Sequence, residues 1–183
     1  TKTTLNVSGF YVKTKDKVKY LTYYDNSGNV DYKMYNNVDE ESRRGVELEV
    51  RHQLSSKWSV FGNYTWQTGR IKHKELPNTN TNEYTEVNYD IPKHIFHAGL
   101  EYTSGKWNAL WDTQYVSRRQ SVDDITGQYG SEDSYFISNI AMNYKFSKEA
   151  TLQFGIQNVF NRIFFNDEAT AGRTYSASMK FKF

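Results

Sequence analysis

The chain has 183 residues and a net charge of +2, with 15 Tyr, 11 Phe, 4 Trp, 2 Pro and no Cys. Mean hydropathy is −0.82 and no apolar run reaches the ~18 residues of a helical span, which excludes a membrane helix but not a transmembrane β-strand, where only alternate residues face lipid. The missing cysteines exclude disulfides and thiolate metal sites, and the absence of a basic block removes the footprint of a nucleic-acid binder.

Residues 3–12 already read as strand, with no charged and apolar leader before them, so a piece of a longer chain is expected. The first predicted strand runs near 3–25 and turns at Asn26-Ser27-Gly28-Asn29 into a second near 30–54. There Val46, Leu48, Val50 and Leu54 alternate with Glu47, Glu49, Arg51 and Gln53, a period of two that a helix would scatter around its surface. After the tight turn Ser55-Ser56-Lys57 come a strand near 58–74, a polar loop over 75–93 and a strand near 94–103. Ser104-Gly105-Lys106 leads into a strand near 107–120, a loop over 121–133 and a strand near 134–146. Ser147-Lys148-Glu149 then precedes a strand near 151–165, a loop over 166–173 and a last strand near 174–183, where Tyr175, Ala177, Met179, Phe181 and Phe183 oppose Ser176, Ser178, Lys180 and Lys182.

These segments predict an all-β chain of about eight antiparallel strands. Short turns at one end and long polar loops at the other form the pattern of an outer-membrane barrel, with the short turns periplasmic if the chain ends there. Aromatic spacing supports a membrane wall. Trp58 and Trp66, Trp107 and Tyr115, and Tyr175 and Phe183 stand eight residues apart on one parity. Eight steps of ~3.3 Å, tilted by roughly 40°, rise about 20 Å, close to an apolar band with an aromatic girdle at each edge. The alternative, that these rings fill a soluble barrel, fails on volume, because a small barrel interior would be overfilled by them. The opposite face, with Asn63, Glu101, Asp112, Gln114, Asn139, Asn143, Gln153, Gln157 and Lys180, suits a wet or plugged lumen.

The order Gly45-Val46-Glu47-Leu48-Glu49, Asn63-Tyr64-Thr65-Trp66, Ile91-Pro92-Lys93-His94, Ile156-Gln157-Asn158-Val159-Phe160-Asn161, Gly172-Arg173-Thr174-Tyr175 and a terminal Phe183 resembles the C-terminal part of TonB-dependent receptors. The resemblance implies that residues 1–183 are the last part of a barrel of about 22 strands whose plug domain and N-terminal strands lie elsewhere. It implies uptake of a metal chelate, an iron-siderophore first, across the bacterial outer membrane. The implied partners are the remaining barrel and plug, TonB through an N-terminal segment, the chelate, outer-membrane lipid, and the barrel-insertion machinery, which would read Tyr175, Met179, Phe181 and Phe183. A free-standing eight-stranded barrel, adhesive or structural or a hydrolase, is the alternative.

Candidate ligand contacts are Arg70, Tyr84, Tyr89, Arg118 and Arg119, where strands enter outer loops, because Arg and Tyr grip anionic chelates by charge-assisted bonds and stacking. His52, His73, His94 and His97 are too scattered for haem capture, with only His73 and His94 near an outer loop. Glu47 and Glu49 read as lumen groups that bond a plug or neighbouring strands, and Asp123, Asp124, Glu132 and Asp133 as solvated loop charge. No Ser-His-Asp order, phosphate-binding glycine loop or zinc spacing appears, so neither catalysis nor a resident metal or cofactor is expected.

Overall fold

A computed structural model describes residues 2–79, 82–88, 90–122, 129–166 and 168–182. The strands are β1 (Thr3–Tyr24), β2 (Val30–Gln53), β3 (Trp58–His73), β4 (Tyr84–Val87), β5 (His94–Ser104), β6 (Trp107–Val116), β7 (Arg119–Val122), β8 (Tyr129–Glu132), β9 (Tyr135–Lys145), β10 (Ala150–Gln157), β11 (Phe165–Asn166), β12 (Glu168–Ala169) and β13 (Thr174–Phe181). No helix occurs among the described residues, as the all-β reading requires. The long strands pair antiparallel in chain order, β1-β2-β3-β5-β6-β9-β10-β13, and β4 joins β3. No ladder links β1 to β13 among the described residues, so the sheet is open at both edges.

Two of the three short turns share one chemistry. Ser55 Oγ accepts the backbone N–H groups of Lys57 and Trp58, each at 3.2 Å, and Ser147 Oγ accepts those of Glu149 and Ala150 at 3.1 and 3.0 Å. Each serine thereby mimics the carbonyl of a backbone turn. The third turn relies on Gly105, whose φ of 55° is a left-handed conformation that a side chain disfavours. At the other end, the β1–β2 tip closes on Asp25, whose Oδ1 accepts the N–H groups of Ser27 and Asn29 at 2.9 and 2.8 Å.

Four predicted spans need correction. The strand predicted over 107–120 stops at Val116: Ser117 still donates its N–H to His94 O at 2.9 Å, but the N–H of His94 goes to the Ser117 side chain at 3.0 Å, and the chain then starts the separate β7–β8 hairpin. The strand predicted to 165 stops at Gln157, because Asn158 turns left-handed, with φ 53°. The span 75–93 is not all loop, since β4 pairs with the outer end of β3, and 166–173 contributes to the small β11–β12 pair.

Candidate functional site: two faces of a wall and its outer rim

Register decides which side chains share a face, because neighbours in a ladder point the same way. One row runs Val7, Leu48, Tyr64, Phe96, Tyr115, Phe136 across six strands. Two residues nearer the short turns, another begins with Leu5 and Val50, and the next crosses all eight long strands as Thr3, His52, Val60, Leu100, Trp111, Ile140, Ile156, Tyr175. The aromatic residues of the predicted girdle that are described, Trp58, Trp66, Trp107, Tyr115 and Tyr175, all have this parity; Phe183 lies outside the described residues. Trp58 packs on Tyr102 with ring centres 4.6 Å apart, and Trp107 on Tyr144 at 4.5 Å. The face is left open: Val7 and Tyr175 are each 66% exposed. Among the described residues only Leu21, Val38, Val116 and Ala150 are buried hydrophobics. Among the described residues the apolar side chains of this face are therefore left uncovered, not gathered into a core.

The apolar face satisfies its own polar atoms. Trp111 Nε1 donates to Ser138 Oγ at 2.6 Å, and Ser138 is fully buried. This gives the indole N–H a partner on a face with few other acceptors.

The other face is bonded across the strands. Asn6 donates to Glu49 at 3.3 Å and Ser8 to Glu47 at 3.4 Å, so these two carboxylates bind the neighbouring strand. Ser59 donates to Glu101 at 2.7 Å, and Arg51 pairs with the same carboxylate. Asn139 donates to Asp112 at 3.1 Å while His97 approaches it at 3.6 Å, and Gln153 donates to Asn143 at 3.0 Å. Two glycines on this face give room to rings. A Cβ on Gly45 would meet Trp66 O at 2.4 Å and the Phe10 ring at 2.7 Å, and a Cβ on Gly99 would meet the Phe61 ring at 2.4 Å. Arg43 and Arg51 then lie over Phe10 and Phe61, 5.6 and 5.9 Å from the ring centres. This is the physical content of Gly45 in the Gly-Val-Glu-Leu-Glu segment.

At the long-loop end the motif Asn158-Val159-Phe160-Asn161 is a clasp. Asn158 and Asn161 are both left-handed, with φ 53° and 51°, a conformation asparagine tolerates better than most residues. Asn158 donates its amide to the carbonyls of Arg162 and Ala171 at 2.6 and 3.2 Å, accepts the N–H of Arg162 at 2.9 Å, and donates its backbone N–H to Asn139 at 3.0 Å. Asn161 accepts the N–H of Arg173 at 2.8 Å. The clasp thus fastens the last outer loop to the bonded face.

The predicted ligand residues do not form one site. Arg118 and Arg119 share a recess of about 210 Å³ with Asn88, Ile91, Lys93 and Gln120. Both already have acids beside them: Arg118 reaches Asp133 at 3.2 Å, and Arg119 pairs with Glu132. Tyr84 stacks instead on His73, ring centres 4.4 Å apart. Desolvation, with Glu86 and Asp39 nearby, holds the Tyr84 phenol above its usual pKa in this region beyond the aromatic rows. His73 is buried between carboxylates, with Nε2 bonded to Glu86 at 3.0 Å and Nδ1 3.0 Å from Asp39, off the line of a hydrogen bond. Arg70 stands apart from both groups, on the parity of Trp66. Tyr89, Asp123 and Asp124 lie outside the described residues. No group of three His, Cys, Asp or Glu able to hold a metal occurs among the described residues. The sequence reading missed His73 and its carboxylates as a cluster, because Asp39, His73 and Glu86 meet only through the β2–β3 and β3–β4 registers.

An open, antiparallel, two-faced sheet, apolar on one side and bonded on the other, is a section of barrel wall. The family model described as TonB dependent receptor-like, beta-barrel, matches residues 1–159, and the chain belongs to this family, whose members are transport receptors of the bacterial outer membrane. Solved structures with the same fold include the FrpB iron transporter of Neisseria meningitidis, at 15% identity and TM-score 0.73 over 99% of this chain and 29% of that one. The siderophore receptor PirA of Acinetobacter baumannii matches at 17% identity and TM-score 0.72, over 99% of this chain and 30% of that one. The ferric-catecholate import receptor Fiu of E. coli K12 matches at 17% identity and TM-score 0.68, over 99% of this chain and 25% of that one. The chain thus spans between a quarter and a third of the length of these structures.

Proposed function

We propose that this chain is the C-terminal barrel part of a receptor that takes up a metal chelate, an iron-siderophore first, across the bacterial outer membrane. The observation that carries the reading is the two-faced open sheet, with outward apolar rows ending in aromatics and a hydrogen-bonded polar face. In a bilayer the first face meets lipid, and Trp58, Trp66, Trp107, Tyr115 and Tyr175 form the girdles. The second faces the lumen, where Glu47, Glu49 and Arg51 meet the plug. The edges β1 and β13 carry unpaired backbone groups that are costly in lipid, so the remaining strands of a barrel of about 22 complete their ladders. Tyr175, Met179 and Phe181 on β13, with Phe183, are the pattern read by the insertion machinery. The chelate arrives at the long-loop end, where Lys93 adds positive charge beside the Arg118–Asp133 and Arg119–Glu132 pairs. TonB engages the plug, outside this segment. Solved structures with this fold are named as iron, siderophore and copper transporters, which supports a metal cargo, with iron the first to test.

The test is growth of the source bacterium, with the gene for the full-length receptor deleted, on iron held by catecholate or hydroxamate chelates. Loss of growth on one chelate, restored by the receptor and not when TonB is absent, is the expected result. Unchanged growth and uptake on every chelate sinks the iron-siderophore assignment.

A further inference from the structure

We propose that Arg44 and Arg70, with Tyr11, bind the phosphate head group of an outer-leaflet lipid on the outside of the barrel wall. The inference rests on the reading of the apolar face as lipid-facing. Register fixes the placement. The upper aromatic row is Gly9, Val46, Trp66, His94; the next row outward on the same face is Tyr11, Arg44, Thr68, and the one beyond it Lys13, Ser42, Arg70, Val87. Rows on one face stand ~6.6 Å apart along a strand, or about 5 Å in height at a barrel tilt, so the two guanidinium groups originate about 5 and 10 Å above the row of Trp66. Aromatic belts sit at head-group level, and this is the depth at which phosphates begin.

Charge on these rows is not balanced from within. Lys13 is neutralised by Glu40 at 2.8 Å, and Lys72 by Glu83 at 2.8 Å. Arg44 and Arg70 make no ion pair or side-chain hydrogen bond among the described residues. They line one recess of about 260 Å³ with Tyr11, Ser42, Thr68 and Val87, and with Arg43 and Gly69, whose parity is that of the bonded face and of which Arg43 lies over Phe10. Two guanidinium forks without an ion pair among the described residues and the three hydroxyl residues Tyr11, Ser42 and Thr68 around one hollow match the oxygens of a phosphate, which takes bidentate bonds from arginine. Below them Val46 and Trp66 offer the apolar surface that the first carbons of an acyl chain require. A free anion would use the first half of this arrangement only; an amphiphile uses both.

The full-length receptor, purified in detergent, is titrated with lipid A, a bisphosphorylated glycolipid, and adducts are counted by native mass spectrometry. Wild type is expected to bind it at least tenfold more tightly than the Arg44→Gln/Arg70→Gln variant. Lys145→Gln/Lys180→Gln, which removes the same charge from the polar face, is expected to bind as wild type does. Both target side chains are exposed, so the fold is not at stake, and Arg44→Lys/Arg70→Lys should recover part of the binding. Equal binding by the Gln pair overturns the site. Displacement of the adduct by millimolar inorganic phosphate overturns a lipid in favour of a small anion. Carbonate extraction of native membranes separates the two levels: a receptor absent from the outer membrane sinks the lipid-facing reading itself, whereas a resident receptor whose Gln pair binds normally sinks only this site.

Discussion

The two faces of the same strands are held by different physics. On the apolar face, side chains meet few polar partners and Val7, Leu48 and Tyr64 lie open to their surroundings, so their stabilisation comes from the medium that covers them. On the bonded face, Asn6, Ser8, Glu47, Glu49, Glu101 and Asp112 find partners one strand away, and two rings rest directly on glycine backbone. The contrast teaches that one face is constrained by chemistry and the other by local geometry. Volume can vary on the apolar face where charge cannot; charge can vary on the bonded face where volume at its glycines cannot.

The sharpest way to break this contrast is a charge placed on either side of one peptide bond. Leu48→Arg should destabilise the receptor in phospholipid by ~2–4 kcal/mol if Leu48 lies near the midplane. Glu49→Arg, which loses one long hydrogen bond to Asn6 and otherwise meets a wet face, should cost under about 1 kcal/mol. Urea unfolding in vesicles reads both. Equal costs would mean that the faces do not differ, and a larger cost at Glu49 would reverse them.

Added volume should show the opposite preference. Gly45→Ala brings a methyl to 2.4 Å from Trp66 O and into the Phe10 ring, and should cost on the order of 2–3 kcal/mol. Gly9→Ala, on the apolar face, meets nothing nearer than Gly45 O at 3.9 Å, and should be within about 0.5 kcal/mol of neutral. Comparable penalties at the two glycines would remove the geometric constraint assigned to the bonded face.

Where the bonded face leaves the wall, Asn158 extends it into the last loop. Asn158→Ala removes the side-chain bonds to the backbone of Arg162 and Ala171 and leaves a non-glycine residue left-handed, at a cost of about 1–2 kcal/mol. The readout is faster proteolysis in 158–173 with unchanged strand protection. Intact protection of the loop would mean that Asn161 alone fastens it.

The wall was legible in the sequence and the rim was not. Alternation is a property of neighbouring residues, so the bounds of β1, β2, β3, β5, β9 and β13 fall within two residues of their prediction. What stops β10 at Gln157 is a left-handed asparagine bonded to residues up to 19 positions away, and what adds β4 is a partner strand already in place; neither leaves a periodic trace. Arg70 shows a signal present but unused. It stands four residues beyond Trp66, hence on the same parity, yet proximity to a loop grouped it with Tyr84 and Tyr89. Counting from the tryptophan places it on the outward face.

The smallest expected effect is at the β1–β2 tip, beyond both faces, where neither lipid nor lumen contributes and a single carboxylate organises the turn. Backbone N–H groups, that of Asn29 foremost and then that of Ser27, stabilise the charged form of Asp25 and hold its pKa below the ordinary 3.8. A carboxyl lowered on folding stabilises the folded turn at pH values above its unfolded pKa, and that contribution is lost as pH falls through the lowered folded value. The turn should therefore be unchanged from neutral pH down to about 4 and loosen only below it. Amide NMR shifts of Ser27 and Asn29 in the full-length receptor should titrate together, with a midpoint under 3.8. In Asp25→Asn the amide oxygen still accepts, but no proton enters, so both shifts should be flat across the same range. A midpoint at or above the ordinary carboxylate value would mean that the two N–H groups do not favour the charged form, and that the tip is held by its backbone bonds alone.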